Sequence, residues 1–164
     1  MPDISRVLVR FGGIQRRLER VGTGRGVTVI DDYAHNPAKI AAAWAAVAPH
    51  YRRVLAVWRP HGFAPLALML GELVQAFCAR AGPADRIYIL PVYFAGGTTQ
   101  RTVTADTLVN ALRERGVNAE LAANYDDLLA RLKTVAQAGD GVLWMGARDP
   151  DLGVYARRLV AQLL

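Results

Sequence analysis

From residue 27 onward, short runs rich in β-branched and apolar residues alternate with longer stretches of helical period, and few folds satisfy that alternation. The runs are residues 27–31 (VTVID), 54–58 (VLAVW), 86–90 (RIYIL), 119–122 (AELA) and 141–145 (GVLWM). Strands joined through helices run parallel, because each connection must cross back over a face of the sheet, and a parallel sheet needs both faces covered. The expected class is α/β: a Rossmann-like, mostly parallel sheet with helices on both faces. A chain of 164 residues, 52% of them apolar, holds one sizeable core. One domain is expected over residues 11–164, with residues 1–10 as a linker or interdomain segment because nothing in them starts a periodic element.

The helices announce themselves by caps and stripes. Asn36 is a natural N-cap, and Pro37 follows at the first helical position, where its missing N–H costs nothing. Ile40, Trp44, Val47 and Tyr51 then make one apolar stripe. A second helix over residues 65–80 carries Leu66, Leu70, Leu73 and Phe77 and stops at Gly82-Pro83. A third is expected over 104–115, ended by Gly116, a fourth over 126–137, and a fifth from 152 with Tyr155, Leu159 and Leu163 facing inward.

Ahead of these lies IQRRLERVGTGRGVTVI, two β-capable runs around glycines, which predicts an antiparallel hairpin strand over residues 14–21 turning through 22–26 (GTGRG). That glycine cluster lacks the GK[ST] ending of a phosphate loop and does not open a helix, so nothing here grips the β- and γ-phosphates of ATP as a P-loop does. Nor does GxGxxG follow the first parallel strand, which argues against a dinucleotide fold.

Composition narrows the partners. The net charge of +6 is almost all arginine, since Lys39 and Lys133 are the only lysines. The arginines are scattered and not interleaved with aromatics on one face, so no nucleic-acid platform is expected, although an anionic nucleotide sugar would be attracted. No stretch approaches the roughly 18 to 20 uncharged apolar residues of a membrane span, and the N-terminus lacks the pattern of a signal peptide. The expectation is a cytoplasmic protein without a membrane partner. The lone Cys78 excludes an internal disulfide and reads as a packed thiol. His35 and His61 have no HxH or CxxC partner spacing, and no metal site is expected.

In open α/β sheets ligands bind outside the carboxyl ends of the strands, where loops diverge and helix N-termini point their N–H groups outward. Four of the five strand-end loops hold unusual residues: 31–37 (DDYAHNP), 59–63 (RPHGF), 93–97 (YFAGG) and 146–150 (GARDP). Asp31 or Asp32 can accept from ribose hydroxyls or merely cap the turn, and His35 can meet a phosphate or oxyanion or make a local hydrogen bond. His61 either binds substrate or braces Pro60. Gly96, Gly97 and Gly146 permit close backbone approach, or simply end strands.

Four segments in order carry a resemblance: FGGIQRRLE (11–19), VIDDYAHNP (29–37), RPHGF (59–63) with VYFAGG (92–97), and GARDP (146–150). Together they resemble the C-terminal domain of the Mur ligases, most closely the branch that joins L-alanine to UDP-N-acetylmuramate. The DDYAHNP loop is also similar to the DGAHNP loop of the folylpolyglutamate synthetases. The resemblance implies a three-domain ATP-dependent ligase of peptidoglycan precursor synthesis, in which this domain closes over a sugar-binding N-terminal domain and a central P-loop domain that are absent here. It implies acyl-phosphate formation from a carboxylate and ATP, with Mg²⁺ held mainly by the central domain, then attack by an amine. The domain alone is expected to be inactive.

Carried over by position, the resemblance implies that Asp32 and Asn36 serve ATP binding, Asp32 at the ribose and Asn36 as loop support. His35 is the implied catalytic residue, with Tyr33 toward the substrate and His61 on the amino-acid side. One departure stands out: Gly62 and Pro65 occupy places where the alanine-adding branch has arginines. A glycine and a proline cannot fork onto a carboxylate. Either Arg59 or Arg148 binds the amine substrate's carboxylate, or the amine is not L-alanine, which leaves open a murein-tripeptide recycling ligase or a non-catalytic nucleotide-sugar binding module.

Overall fold

The computed structural model describes residues 13–96 and 101–164. Six strands form one sheet: β1 (Glu19–Gly24), β2 (Val27–Asp32), β3 (Arg53–Arg59), β4 (Arg86–Ile89), β5 (Ala119–Leu121) and β6 (Asp140–Gly146), in the order β1-β2-β6-β3-β4-β5. β1 pairs antiparallel with β2, and every other neighbour is parallel. The parallel strands and the antiparallel edge thus follow the sequence expectation.

Five helices cover the sheet: α1 (Pro37–Val47), α2 (Phe63–Arg80), α3 (Ala105–Arg113), α4 (Tyr125–Val135) and α5 (Asp151–Leu163). α1, α2 and α3 bury their stripes on one face, where Trp44, Trp58 and Phe77 meet edge to face. α4 and α5 close the other face, where the Tyr125 ring stacks between Trp144 and Tyr155. The full burial of β2, β3 and β6 interiors explains why those runs read as continuously apolar. At 18 residues α2 has the length and apolarity of a membrane span, but Leu66, Leu73, Val74 and Phe77 are buried among the core residues of the α1–α3 face.

The hairpin differs from its expected bounds. β1 begins at Glu19, because residues 14–18 fold into a tight loop, with the Arg17 N–H donating to the Ile14 carbonyl and Arg16 and Leu18 at φ of 58° and 47°. The turn itself is only Arg25-Gly26, both at positive φ (51° and 76°), the two-residue geometry whose twist suits a hairpin. Gly22 and Gly24 lie inside β1, where a Cβ would come within 2.7 Å of Val160 and 2.8 Å of Leu163. They let the edge strand lie close against α5. Helix starts and stops shift by a few residues, and α2 begins at Phe63, capped by Gly62 at φ 79°. The expected segment 1–10, together with Phe11, Gly12 and Gly97, lies outside the described residues.

The chain order places the site. β2–α1–β3, β3–α2–β4 and β4–α3–β5 keep their helices on one face, while α4 leads to β6 from the other, inserting β6 between β2 and β3. Loops after β2, β3 and β6 therefore diverge to opposite faces at neighbouring strand ends, the arrangement that opens a crevice.

Candidate functional site

Three of those loops, with the segment after β4, converge at the carboxyl edge. The rings of His35 and His61 lie 5.3 Å apart, edge to face, and the Tyr33 ring packs edge to face 5.6 Å from His35. His61 is held through its backbone: Gly62 N–H donates to the Tyr93 carbonyl and Tyr93 N–H to the Pro60 carbonyl. His35 Nδ1 lies 2.9 Å from the Tyr33 carbonyl, which only accepts, so Nδ1 is the donor and Nε2 is the ring nitrogen left for a ligand. Burial first, then the nearby His35 and Arg148 charges, push the His61 pKa below its usual value. The shift favours the neutral ring of His61.

The first loop is built around its two aspartates, which do different things. Asp32 accepts the Ala34 N–H on one oxygen (2.8 Å) and the Leu18 N–H on the other (2.9 Å), so it clamps the 14–18 loop to the turn after β2. Each carboxylate oxygen has a second lone pair, which leaves Asp32 able to accept from a ligand. Asp31 is 1% exposed and points the other way, 3.3 Å from Arg16 Nε, yet both of its oxygens lack hydrogen bonds among the described residues. Burial raises the Asp31 pKa against the pull of Arg16. Asn36 caps α1 by accepting the Lys39 N–H at 2.9 Å.

Arg16 does more than the sequence reading saw. Its Nη2 donates to the Gly146 carbonyl at 2.7 Å, tying the hairpin loop to the end of β6, and its guanidinium lies over the Tyr33 ring at 5.0 Å, with Arg17 over the same ring at 5.4 Å. A cavity of about 230 Å³ lined by Arg17, Leu18, Asp32 and Lys39 opens beside this loop. It offers two cations next to an acceptor, which suits a phosphorylated, hydroxylated ligand.

Arg59 and Arg148, the two candidates for carboxylate binding, are placed very differently. Arg59 turns inward: Nη1 pairs with Asp149, Nε donates to the Pro91 carbonyl at 3.1 Å, and its plane faces the Tyr125 and Tyr93 rings. Tyr125 donates its hydroxyl to the same Asp149 oxygen, and burial followed by that bond raises its pKa, so the hydroxyl stays a donor. Arg148 is exposed, sits at φ 65°, and has no hydrogen bond or ion pair among the described residues. It lines a second cavity of about 230 Å³ with His61, Phe63, Pro65, Tyr93 and Phe94.

The comparisons agree with this architecture. The family model "Mur ligase, glutamate ligase domain" matches residues 16–148. The chain belongs to this Mur ligase family. The UDP-N-acetylmuramate–L-alanine ligase of Methylobacterium nodulans is 37% identical over 155 residues, covering 93% of this chain and 32% of that protein. Among solved structures, the UDP-N-acetylmuramate-alanine ligase of Thermotoga maritima aligns over 96% of this chain and 32% of its own, with a TM-score of 0.70 and 21% identity. A murein peptide ligase of Psychrobacter arcticus aligns over the same shares, with a TM-score of 0.67 and 22% identity. At these identities the two structures share the fold. This Mur ligase chain spans about a third of the length of the curated relatives it matches.

No three His, Cys, Asp or Glu side chains converge as metal ligands among the described residues. The Arg59–Asp149–Tyr125 network was beyond sequence reasoning, because Tyr125 sits on a helix N-terminus 24 residues from Asp149 and nothing in the spacing links them.

Proposed function

We propose that this domain forms the acceptor side of an ATP-dependent UDP-N-acetylmuramate:amino-acid ligase in peptidoglycan precursor synthesis, with L-alanine as the amine. The observation that carries the reading is the pairing of two histidines, 5.3 Å apart, at the carboxyl edge of a Mur-type sheet, His35 in the loop that also holds Asp32 and His61 in the lining of the cavity at Arg148. ATP, bound with its Mg²⁺ largely by another domain, supplies the phosphoryl group that activates the sugar's carboxylate. This chain's residues then do three things. Asp32, with Asn36 holding the loop, offers acceptors to the nucleotide. His35, at the N-terminus of α1, turns Nε2 toward the reacting group, where charge develops. His61, whose surroundings favour the neutral ring, takes a proton from the attacking amine.

The test is phosphate release by the complete ligase carrying this domain, given ATP, Mg²⁺ and UDP-N-acetylmuramate, with L-alanine, glycine, L-serine and the cell-wall tripeptide supplied separately. Release that depends on L-alanine is the expected result. Release only with the tripeptide assigns a murein-recycling ligase, and release with none leaves a binding module.

A further inference from the structure

We propose that Arg148 is the specificity-determining residue that binds the carboxylate of the incoming amino acid, in a pocket walled by Phe63 and Phe94. This deepens the ligase reading above and rests on it. Arg148 holds φ 65°, a left-handed backbone that costs a non-glycine residue of order 1 kcal/mol or more and persists where surrounding structure enforces it. Here the enforcing neighbour is visible. Asp149, next in the chain, is locked by Arg59 and Tyr125 and accepts the Asp151 N–H, so the backbone at Arg148 has no freedom to relax. Arg148 is exposed and, among the described residues, makes no hydrogen bond or ion pair that would offset the strain.

The pocket around it has one chemistry. Its lining is His61, Gly62, Phe63, Ala64, Pro65, Tyr93 and the residues on to Gly96, with no carboxylate among them. Asp149 is near in sequence but already neutralised by Arg59. The Phe63 and Phe94 rings lie 5.5 Å apart at a tilt of 57°, and Arg101 lies over both at 5.2 and 5.1 Å, adding a second cation beside them. A cationic, apolar-walled cavity takes a small anion with a hydrocarbon part. At about 230 Å³ it has room for one small amino acid. His61 lies on the side where the amine would stand.

A guanidinium fork distinguishes a carboxylate from its amide, which makes the test a double substitution of protein and substrate. In the complete ligase, Arg148→Gly is expected to raise KM for L-alanine at least tenfold with kcat within twofold and KM for ATP and the sugar unchanged. Arg148→Lys recovers part of the loss, because it keeps the charge but not the fork. With L-alaninamide in place of L-alanine, wild type and Arg148→Gly should behave alike. Since glycine relaxes at this φ, the variant should melt no lower than wild type, and removing the cation should move the His61 titration upward by NMR. A variant that keeps the wild-type preference for L-alanine over the amide overturns the inference alone. A wild-type enzyme that ligates no amino acid overturns the ligase reading and this inference together.

Discussion

Asp149→Ala is expected to destabilise the domain by about 3–5 kcal/mol, the range for removing one partner of a buried ion pair. Asp149 is 1% exposed and serves three elements at once: it neutralises Arg59 at the end of β3, accepts the Tyr125 hydroxyl from α4, and accepts the Asp151 N–H at the start of α5. Its removal strands a guanidinium that is only 19% exposed and leaves the Tyr125 hydroxyl without its acceptor. Tyr125→Phe tests the same network more gently, since it deletes a donor and leaves the ion pair. Its cost should be about 1–2 kcal/mol. Urea unfolding of the two variants checks both values, and a loss below about 1 kcal/mol for Asp149→Ala would show that water screens the pair. Because this network also holds the backbone of Arg148, Asp149→Ala should weaken amino-acid binding beyond what its stability loss explains.

The second large effect is expected at Asp32. Asp32→Ala removes an acceptor from two backbone N–H groups, those of Ala34 and Leu18, and so frees the 14–18 loop from the turn that leads to His35. Hydrogen bonds to a charged group are worth about 1.5–3 kcal/mol each and are not additive here, which puts the loss near 2–4 kcal/mol. In the complete enzyme the displaced loop should lower turnover about a hundredfold, the scale on which an ångström of misplacement acts. Asp32→Asn should do little better, because whichever N–H meets the amide nitrogen faces a donor instead of an acceptor. Measuring KM for ATP beside kcat separates a lost nucleotide contact from a misplaced loop: a rise in KM alone points to the contact. Unchanged stability and unchanged kinetics would show that Asp32 neither clamps nor binds.

How much of this was legible follows from the range of each interaction. The parallel strands, the α1 cap at Asn36 and the clustering of polar loops at one edge are local or periodic facts, and the sequence carries them directly. The loop that brings Asp32 to Leu18 is different. Residues 14–18 read as β because Ile14 and Leu18 are apolar, and the positive φ at Arg16 and Leu18 is set by partners far away, including the Gly146 carbonyl 130 residues on. The glycines of the hairpin were read as turn residues, while Gly22 and Gly24 answer to the approach of α5, a tertiary demand that composition does not announce. Likewise the two arginines at strand ends looked equivalent until Asp149 selected Arg59 as its partner and left Arg148 outward. One substitution pattern, glycine and proline at 62 and 65, was visible from the start, and its consequence needed the pocket.

The central claim is that the carboxyl edge of this sheet carries the acceptor half of an amide ligation, and His35 is where it is most exposed to test. Its side chain makes one hydrogen bond, to the Tyr33 carbonyl, so His35→Ala should leave the unfolding midpoint of this chain nearly unchanged. The decisive measurement is the steady-state rate of L-alanine-dependent phosphate release by the complete ligase bearing that substitution. A fall in kcat of about a hundredfold or more, the scale of losing one group that meets developing charge, is the predicted result; turnover within a fewfold of wild type would contradict the account.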